Sequence, residues 1–308
     1  MENFELTILG CGSAMPTTRH YPSSQILNHR ERLFMIDCGE GAQLQYRRNK
    51  IKFTRLQHLF ISHLHGDHCF GLIGLISTLG ILGRTSELII HAHSDAERVF
   101  RPQLDYFCRD LPFNVRFNAI STNQNEMIYE DKALKVSTLP LRHRITIYIY
   151  SKTGLIEEKE KERHLIRDMI QFYNIPIREL AKIKQGEDFI TSEGLIIPNE
   201  RLSRPADPVS RYAYCSDTIY QEKLIPLIEG VDLLYHEATF AEDNKARAKE
   251  TFHSTAVQAA TLAQKAQVKK LILGHFSARY QDDSIFLQEA QEIFPHTIIA
   301  KESMQIRF

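Results

Sequence analysis

Apolar residues in this chain gather in short runs closed off by Gly, Pro, Asn or Asp, and such runs predict strands. The first is Phe4 to Leu9; others are Leu33 to Ile36, His58 to Ile61, Leu88 to Ile90, Ile145 to Tyr150, Tyr212 to Cys215, Leu233 to Tyr235, Leu271 to Leu273 and Thr297 to Ala300. Ala256 to Ala266 and Asp283 to Ile293 read instead as helices. Strands dominate the first half and strand–helix alternation the second, which predicts α/β layers and excludes a helical bundle. No repeat at a solenoid period is visible. No apolar run approaches the roughly 18 residues of a membrane span.

Composition narrows the partners. A chain of 308 residues with 43% hydrophobic and 25% charged side chains can bury its own core, so one domain over 1–308 is expected. Lys+Arg and Asp+Glu balance at 38 each, so any RNA contact must rest on local patches and not on overall charge. The five cysteines (Cys11, Cys38, Cys69, Cys108, Cys215) are scattered and form no CxxC pair, which points to reduced thiols. With a strand at its start and no secretory leader pattern, the expected compartment is the cytoplasm.

One interval, residues 151–207, stands apart as an insertion. Charges crowd in Glu157 to Arg163, and prolines return at Pro176, Pro198 and Pro205. By composition it is a solvated helix followed by a hairpin. Arg178, Lys182 and Lys184 form a short basic stretch with only Glu179 against them, a weak phosphate-contact signal.

The chemistry lies in the histidines. After the apolar run ending at Ile61 comes Ser62-His63-Leu64-His65-Gly66-Asp67-His68, three imidazoles and a carboxylate in one turn. His63 and His65 can leave a strand end on one side to hold one ion, while Gly66 permits a turn that aims Asp67 and His68 at a second. Two ions need more ligands, and His143, Asp217 and His275 each follow an apolar run that would end at a strand edge. His91-Ala92-His93-Ser94-Asp95 copies part of the spacing but lacks the glycine and the last imidazole, and reads as a strand running into a helix.

This HxHxDH run with His143, Asp217 and His275 resembles the metallo-β-lactamase superfamily, and within it the ribonuclease Z family. The resemblance extends from Leu9 to Tyr280 through Gly10 to Ser13, Asp37 to Gly41, Gly71 to Leu75, Ser216-Asp217-Thr218, the HEATF of His236 to Phe240, the HST of His253 to Thr255, and the SARY of Ser277 to Tyr280. It implies a four-layered αβ/βα sandwich. It also implies a zinc-dependent endoribonuclease that removes the 3′ trailer from precursor tRNA by attack of a metal-bridging hydroxide, leaving a 3′-hydroxyl on the tRNA and a 5′-phosphate on the trailer.

Carried over residue by residue, His63, His65 and His143 bind a first zinc, Asp67, His68 and His275 a second, and Asp217 bridges. The donor set suits zinc, two ions per chain, with manganese the alternative. Asp67 orients the attacking water and accepts its proton, while Glu237 and His253 protonate the leaving oxygen. Thr255 and Gln258 fit a capping box that would start a helix just after His253. Asp37 supports the ligands without binding metal.

The interval 151–207 falls where the family carries a protruding arm, an exosite for tRNA. Here the arm's usual Gly-Pro element is replaced by Ile175-Pro176-Ile177-Arg178, and 151–204 carries ten basic and ten acidic side chains, so phosphate contacts fall to Arg178, Lys182 and Lys184. Arg19, after Pro16-Thr17-Thr18 where the family has a lysine, and Arg279 complete the substrate contacts. The resemblance further implies a homodimer. The main rival is a metal-dependent phosphodiesterase or arylsulfatase-like hydrolase of small molecules, which would need no arm. A silent tRNA-binding subunit conflicts with seven filled ligand positions, and β-lactamase activity would leave HEATF, HST and SARY idle.

Overall fold

Alternate residues of the run after Arg32 face opposite ways. Leu33 and Met35 join a buried cluster with Tyr46, Leu72, Leu75, Leu79, Phe100 and Leu104, while Phe34 stacks with His58 and Phe60. That period of two makes it a strand with two buried faces. A computed structural model describes residues 4–120, 124–143 and 152–308. The strand expected at Ile145 to Tyr150, and Ser151 after it, lie outside the described residues.

Eighteen strands are present among the described residues. They are β1 (Phe4–Gly10), β2 (Ser24–His29), β3 (Arg32–Cys38), β4 (Leu56–Phe60), β5 (Leu88–His93), β6 (Val115–Ile120), β7 (Met127–Glu130), β8 (Leu134–Pro140), β9 (Lys152–Glu158), β10 (His164–Leu165), β11 (Phe189–Ile190), β12 (Ile196–Ile197), β13 (Ser203–Arg204), β14 (Arg211–Cys215), β15 (Leu233–Glu237), β16 (Leu271–Gly274), β17 (Thr297–Ile299) and β18 (Gln305–Arg307). Two seven-stranded sheets result, ordered β18-β1-β2-β3-β4-β5-β6 and β17-β16-β15-β14-β9-β8-β7. The helices Ala42–Arg48, Leu72–Ile81 and Asp95–Phe107 cover the outer face of the first sheet. Ala256–Lys265 and Ser284–Gln291 pack on β15, β16 and β17 of the second. This is the four-layered αβ/βα sandwich.

Two tyrosines of β14 tie the sheets together: Tyr212 Oη donates to Gln25 Oε1 at 2.5 Å and Tyr214 Oη to Asp37 Oδ2 at 2.7 Å. Within each sheet the strands that matter for chemistry are parallel: β3 with β4 and β4 with β5, then β14 with β15 and β15 with β16. Parallel strands bring their carboxyl ends to one edge, where open α/β sheets place ligands. His91 and His93 sit on β5 and lead into the helix from Asp95, as their sequence predicts. His91 is buried, its Nε2 3.0 Å from His58 Nδ1 and its Nδ1 accepting from Asn118 at 2.9 Å.

The chain divides into two compact units. The smaller comprises Asp131–Leu134 and Glu157–Val209, so β9 carries the first described part of the interval 151–207 into the sheet, and the separate body's long segment starts at Glu157, where the charged run begins. Inside it β10 pairs with β13, β11 with β12 in a hairpin, and Ile175, Ile183, Ile197 and Leu202 form a small core. Each aliphatic side chain so buried contributes about 2 kcal/mol. Asn199 closes the unit by donating to the carbonyls of Ile183 (2.7 Å) and Glu187 (2.8 Å).

Candidate metal centre

The turn after β4 sets the first donors. Ser62 leaves the strand with its N–H on Asp37 Oδ1 (2.7 Å), and Gly66–Cys69 form one helical turn carrying Asp67 and His68. Gly71 lets this turn sit close to β3: a Cβ there would fall 2.1 Å from the Gly39 carbonyl oxygen. The other donors follow β8 (His143), β14 (Asp217) and β16 (His275). Asp217 and His275, like the supporting Asp37, have positive φ (50°, 62° and 56°). Three non-glycine residues in left-handed backbone at one site is strain of the kind that function maintains, of order 1 kcal/mol or more each.

The seven donors converge as two groups on either side of one carboxylate. In the first, His65 Nδ1 lies 3.0 Å from His63 Nε2 and 3.2 Å from His143 Nε2, and Asp217 Oδ2 lies 3.6 and 3.5 Å from those same two Nε2 atoms. In the second, Asp217 Oδ1 is 3.1 Å from both His68 Nε2 and His275 Nε2, and Asp67 Oδ2 is 3.6 and 3.5 Å from them. A divalent cation fits here on direct grounds. His68 Nε2 and His275 Nε2 are buried, aimed inward and without a hydrogen-bond partner, which buried polar atoms seldom tolerate. Burial also pushes the imidazolium pKa of His63, His65 and His143 down, leaving the neutral donor a metal needs.

Behind the donors stands a second set of bonds that fixes ring orientation. Asp37 Oδ2 binds His68 Nδ1 (2.7 Å), Ser62 Oγ (2.9 Å) and Tyr214 Oη (2.7 Å). His143 Nδ1 faces the Phe252 carbonyl at 3.3 Å. Thr239 Oγ1 accepts from His275 Nδ1 (2.9 Å) and donates to Glu237 Oε2 (2.6 Å). Asp67 Oδ2 receives the Ala14 N–H at 2.7 Å.

Beside the donors, His253 Nδ1 meets Glu237 Oε1 at 2.9 Å, and Glu237 is buried and held by the N–H groups of Thr218 (2.8 Å) and Thr239 (3.1 Å). Burial opposes charge on both. The attraction between them outweighs it, raising His253 to about 9, with help from Asp217 and Asp67, and lowering Glu237 to about 2. Thr255 caps the helix Ala256–Lys265 with the full capping box to Gln258, two residues beyond His253. A cavity of about 350 Å³, lined by Ala14, His65, Asp67, His143, His253 and His275 among others, opens onto all of this.

The expected substrate contacts lie elsewhere. Arg19 is committed to protein: its guanidinium bonds the Tyr280 carbonyl, the Gln281 carbonyl (2.7 Å) and Asp283 Oδ1 (3.4 Å). Arg279 is exposed. In the smaller unit Arg178 and Lys182 pair with Glu179 at 3.4 and 3.1 Å, and Lys184 with Glu162 at 2.9 Å, a partner the linear spacing does not reveal. Such exposed pairs contribute little and yield readily to a competing anion. Sequence reasoning missed Thr239, Tyr214 and the Ala14 N–H. Two of them had a signal: Thr239 lies inside the HEATF motif, and Tyr214 stands two positions from Tyr212 on one strand face.

Among known proteins, the family model described as anti-Pycsar protein Apyc1 matches residues 4–144, which include the HxHxDH run and His143 but neither Asp217 nor His275. Ribonuclease Z of Bacteroides thetaiotaomicron is 57% identical over 306 residues, 99% of this chain and 96% of its own. The chain belongs to the ribonuclease Z family. It is a ribonuclease, a phosphodiester hydrolase. Among solved structures, human tRNase Z, short form, matches with a TM-score of 0.69 at 23% identity over 98% of each chain. The metallo-β-lactamase fold protein YhfI from Bacillus subtilis matches with 0.69 at 19% over 99% of each. At such identities they show the shared metallo-β-lactamase fold.

Proposed function

We propose that the enzyme removes the 3′ trailer from precursor tRNA, leaving a 3′-hydroxyl on the tRNA and a 5′-phosphate on the trailer. His63, His65, His143 and Asp217 would hold one zinc, and Asp67, His68 and His275 the other with Asp217 shared between them. The observation that carries the reading is the division of six buried or half-buried donors about the Asp217 carboxylate, in a chain whose relatives are named ribonuclease Z. When bound, such a pair supplies Lewis acidity and lowers the pKa of water toward neutral. Asp67, fixed by the Ala14 N–H, orients the attacking water and takes its proton. His253, kept charged by Glu237, gives a proton to the leaving 3′-oxygen. The relatives' name favours this over hydrolysis of small phosphodiesters.

The test is one assay with two substrates, a 3′-extended tRNA precursor and an aryl phosphodiester, each with and without chelator. Precursor cleavage that survives complete metal removal would refute the reading. So would turnover of the aryl ester alone.

The smaller unit supplies RNA binding in this scheme, with Arg178, Lys182, Lys184 and, on the larger unit, Arg279 as phosphate contacts, while Arg19, bonded to the Tyr280 and Gln281 carbonyls and to Asp283, braces its loop. The active form is a homodimer in the cytoplasm, in which the unit of one protomer grips a tRNA cut by its partner. Among the described residues no helix is long and apolar enough to cross a membrane. Because β9 ends at Glu158 and β14 begins at Arg211, a deletion of Lys161 to Arg204 spares the sheet. It should cripple precursor cleavage and leave aryl ester hydrolysis intact. Mixing the deleted chain with an Asp67→Ala chain should restore precursor cleavage; mixed dimers no better than either parent would exclude the cross-protomer arrangement.

A further inference from the structure

The loop between β1 and β2 reaches the reacting centre through one atom and is anchored by side chains that no step above uses. Ala14 lines the cavity and places its N–H 2.7 Å from Asp67 Oδ2 while its φ is 63°. A residue with a Cβ holds that conformation only where its surroundings over-determine it. Close to Ala14, Ser13 N donates to the Phe276 carbonyl and Phe276 N to the Cys11 carbonyl, both at 3.0 Å, stitching the loop to the segment after His275. At its far end the buried His20 lies between two carboxylates, Nε2 2.8 Å from Asp283 Oδ2 and Nδ1 3.2 Å from Glu302 Oε2. Tyr21 N donates to Glu302 Oε1 at 2.9 Å, and Thr17 N to the His20 carbonyl at 3.0 Å.

We infer that His20 is a positioning residue: clamped between Asp283 and Glu302, it holds the loop so that the Ala14 N–H stays on Asp67. The hydrogen bonds to Asp283, Cys11 and Glu302 outweigh burial and raise the imidazolium to about 12, so the clamp is charged throughout the working range. Cys11, His20 and Glu302 also bring donor atoms close enough for a cation. Each is already hydrogen-bonded, however, with Cys11 Sγ 3.4 Å from His20 Nδ1 and 3.5 Å from the Ala300 carbonyl, whereas His68 Nε2 and His275 Nε2 have no such partner.

The inference rests on the role given to Asp67 above, and the experiment separates the two. A zinc-loaded wild-type chain inactive on both substrates defeats that role; an active wild type matched by His20→Gln defeats this inference alone. His20→Gln, which keeps hydrogen bonding without the charge, should lower kcat roughly 10- to 100-fold, the span for losing a partner that supports a metal site. The loss should appear on precursor tRNA and aryl phosphodiester alike, with KM little changed and zinc content equal to wild type. Adding Ala14→Gly should recover much of it, because glycine adopts positive φ freely. An effect confined to KM for tRNA, no recovery with glycine, or one zinc fewer in His20→Gln would each overturn the proposal, the last by making the cluster a metal site. If circular dichroism shows His20→Gln unfolded, Glu302→Gln carries the same expectations.

Discussion

Asp67→Ala is expected to take precursor tRNA cleavage to the floor of the assay and zinc content from about two per chain to about one. The size of the effect comes from two losses in one side chain. Asp67 Oδ2 closes the second donor group with His68 and His275, so its removal leaves three donors where a cation wants four. In the proposed mechanism it is also the proton acceptor, and losing that alone costs roughly 10² to 10⁴ in rate. The Ala14 N–H loses its acceptor as well, which frees the rim of the cavity. Metal analysis with activity decides the matter. Wild type holding almost no zinc after reconstitution would end the two-cation reading, and a variant with both zincs and normal turnover would end the role of Asp67.

The next largest effect belongs to His253→Ala, with cleavage slowed roughly 10² to 10⁴ and zinc unchanged. Its imidazole stands beside the donors, 5.1 Å from the His143 ring and 5.4 Å from the His275 ring, and spends Nδ1 on Glu237, which leaves Nε2 to give a proton in the proposed mechanism. The pKa raised to about 9 sets the sign of the pH dependence: the donor is charged below that value and is lost as pH rises through it. The alkaline fall in kcat near pH 9 should therefore vanish in the variant. A p-nitrophenolate leaving group needs no proton and should be nearly indifferent. His253, Asp217 and His275 also have donor atoms within reach of one cation, so the opposite result has a clear meaning. If the variant loses a zinc, or slows both substrates equally, His253 is a ligand or a structural prop.

Most of the framework was legible because its signals are local. The strand ending at Cys38 shows as Leu33 to Ile36, the capping box shows as Thr255 and Gln258, and HxHxDH compresses four donors into one turn. His143, Asp217 and His275 were recoverable from their place after apolar runs together with the family resemblance. What escaped depends on contacts between distant segments. Tyr214 reaches Asp37 from another sheet, and Lys184 finds Glu162 across 22 positions. Ala14 is invisible for a different reason: its contribution is a backbone N–H that any residue but proline carries.

β9 and β14 are neighbours in their sheet, and most of the smaller unit is the excursion between them. None of the seven donors lies on that excursion, and its core draws on its own four aliphatics. Lineages can therefore lengthen, shorten or recharge this stretch while the hydrolytic machinery is inherited intact. If that stretch binds RNA as proposed, the surface that chooses a substrate and the centre that cuts it are free to drift at separate rates, and swapping it between relatives is a natural way to retarget the enzyme.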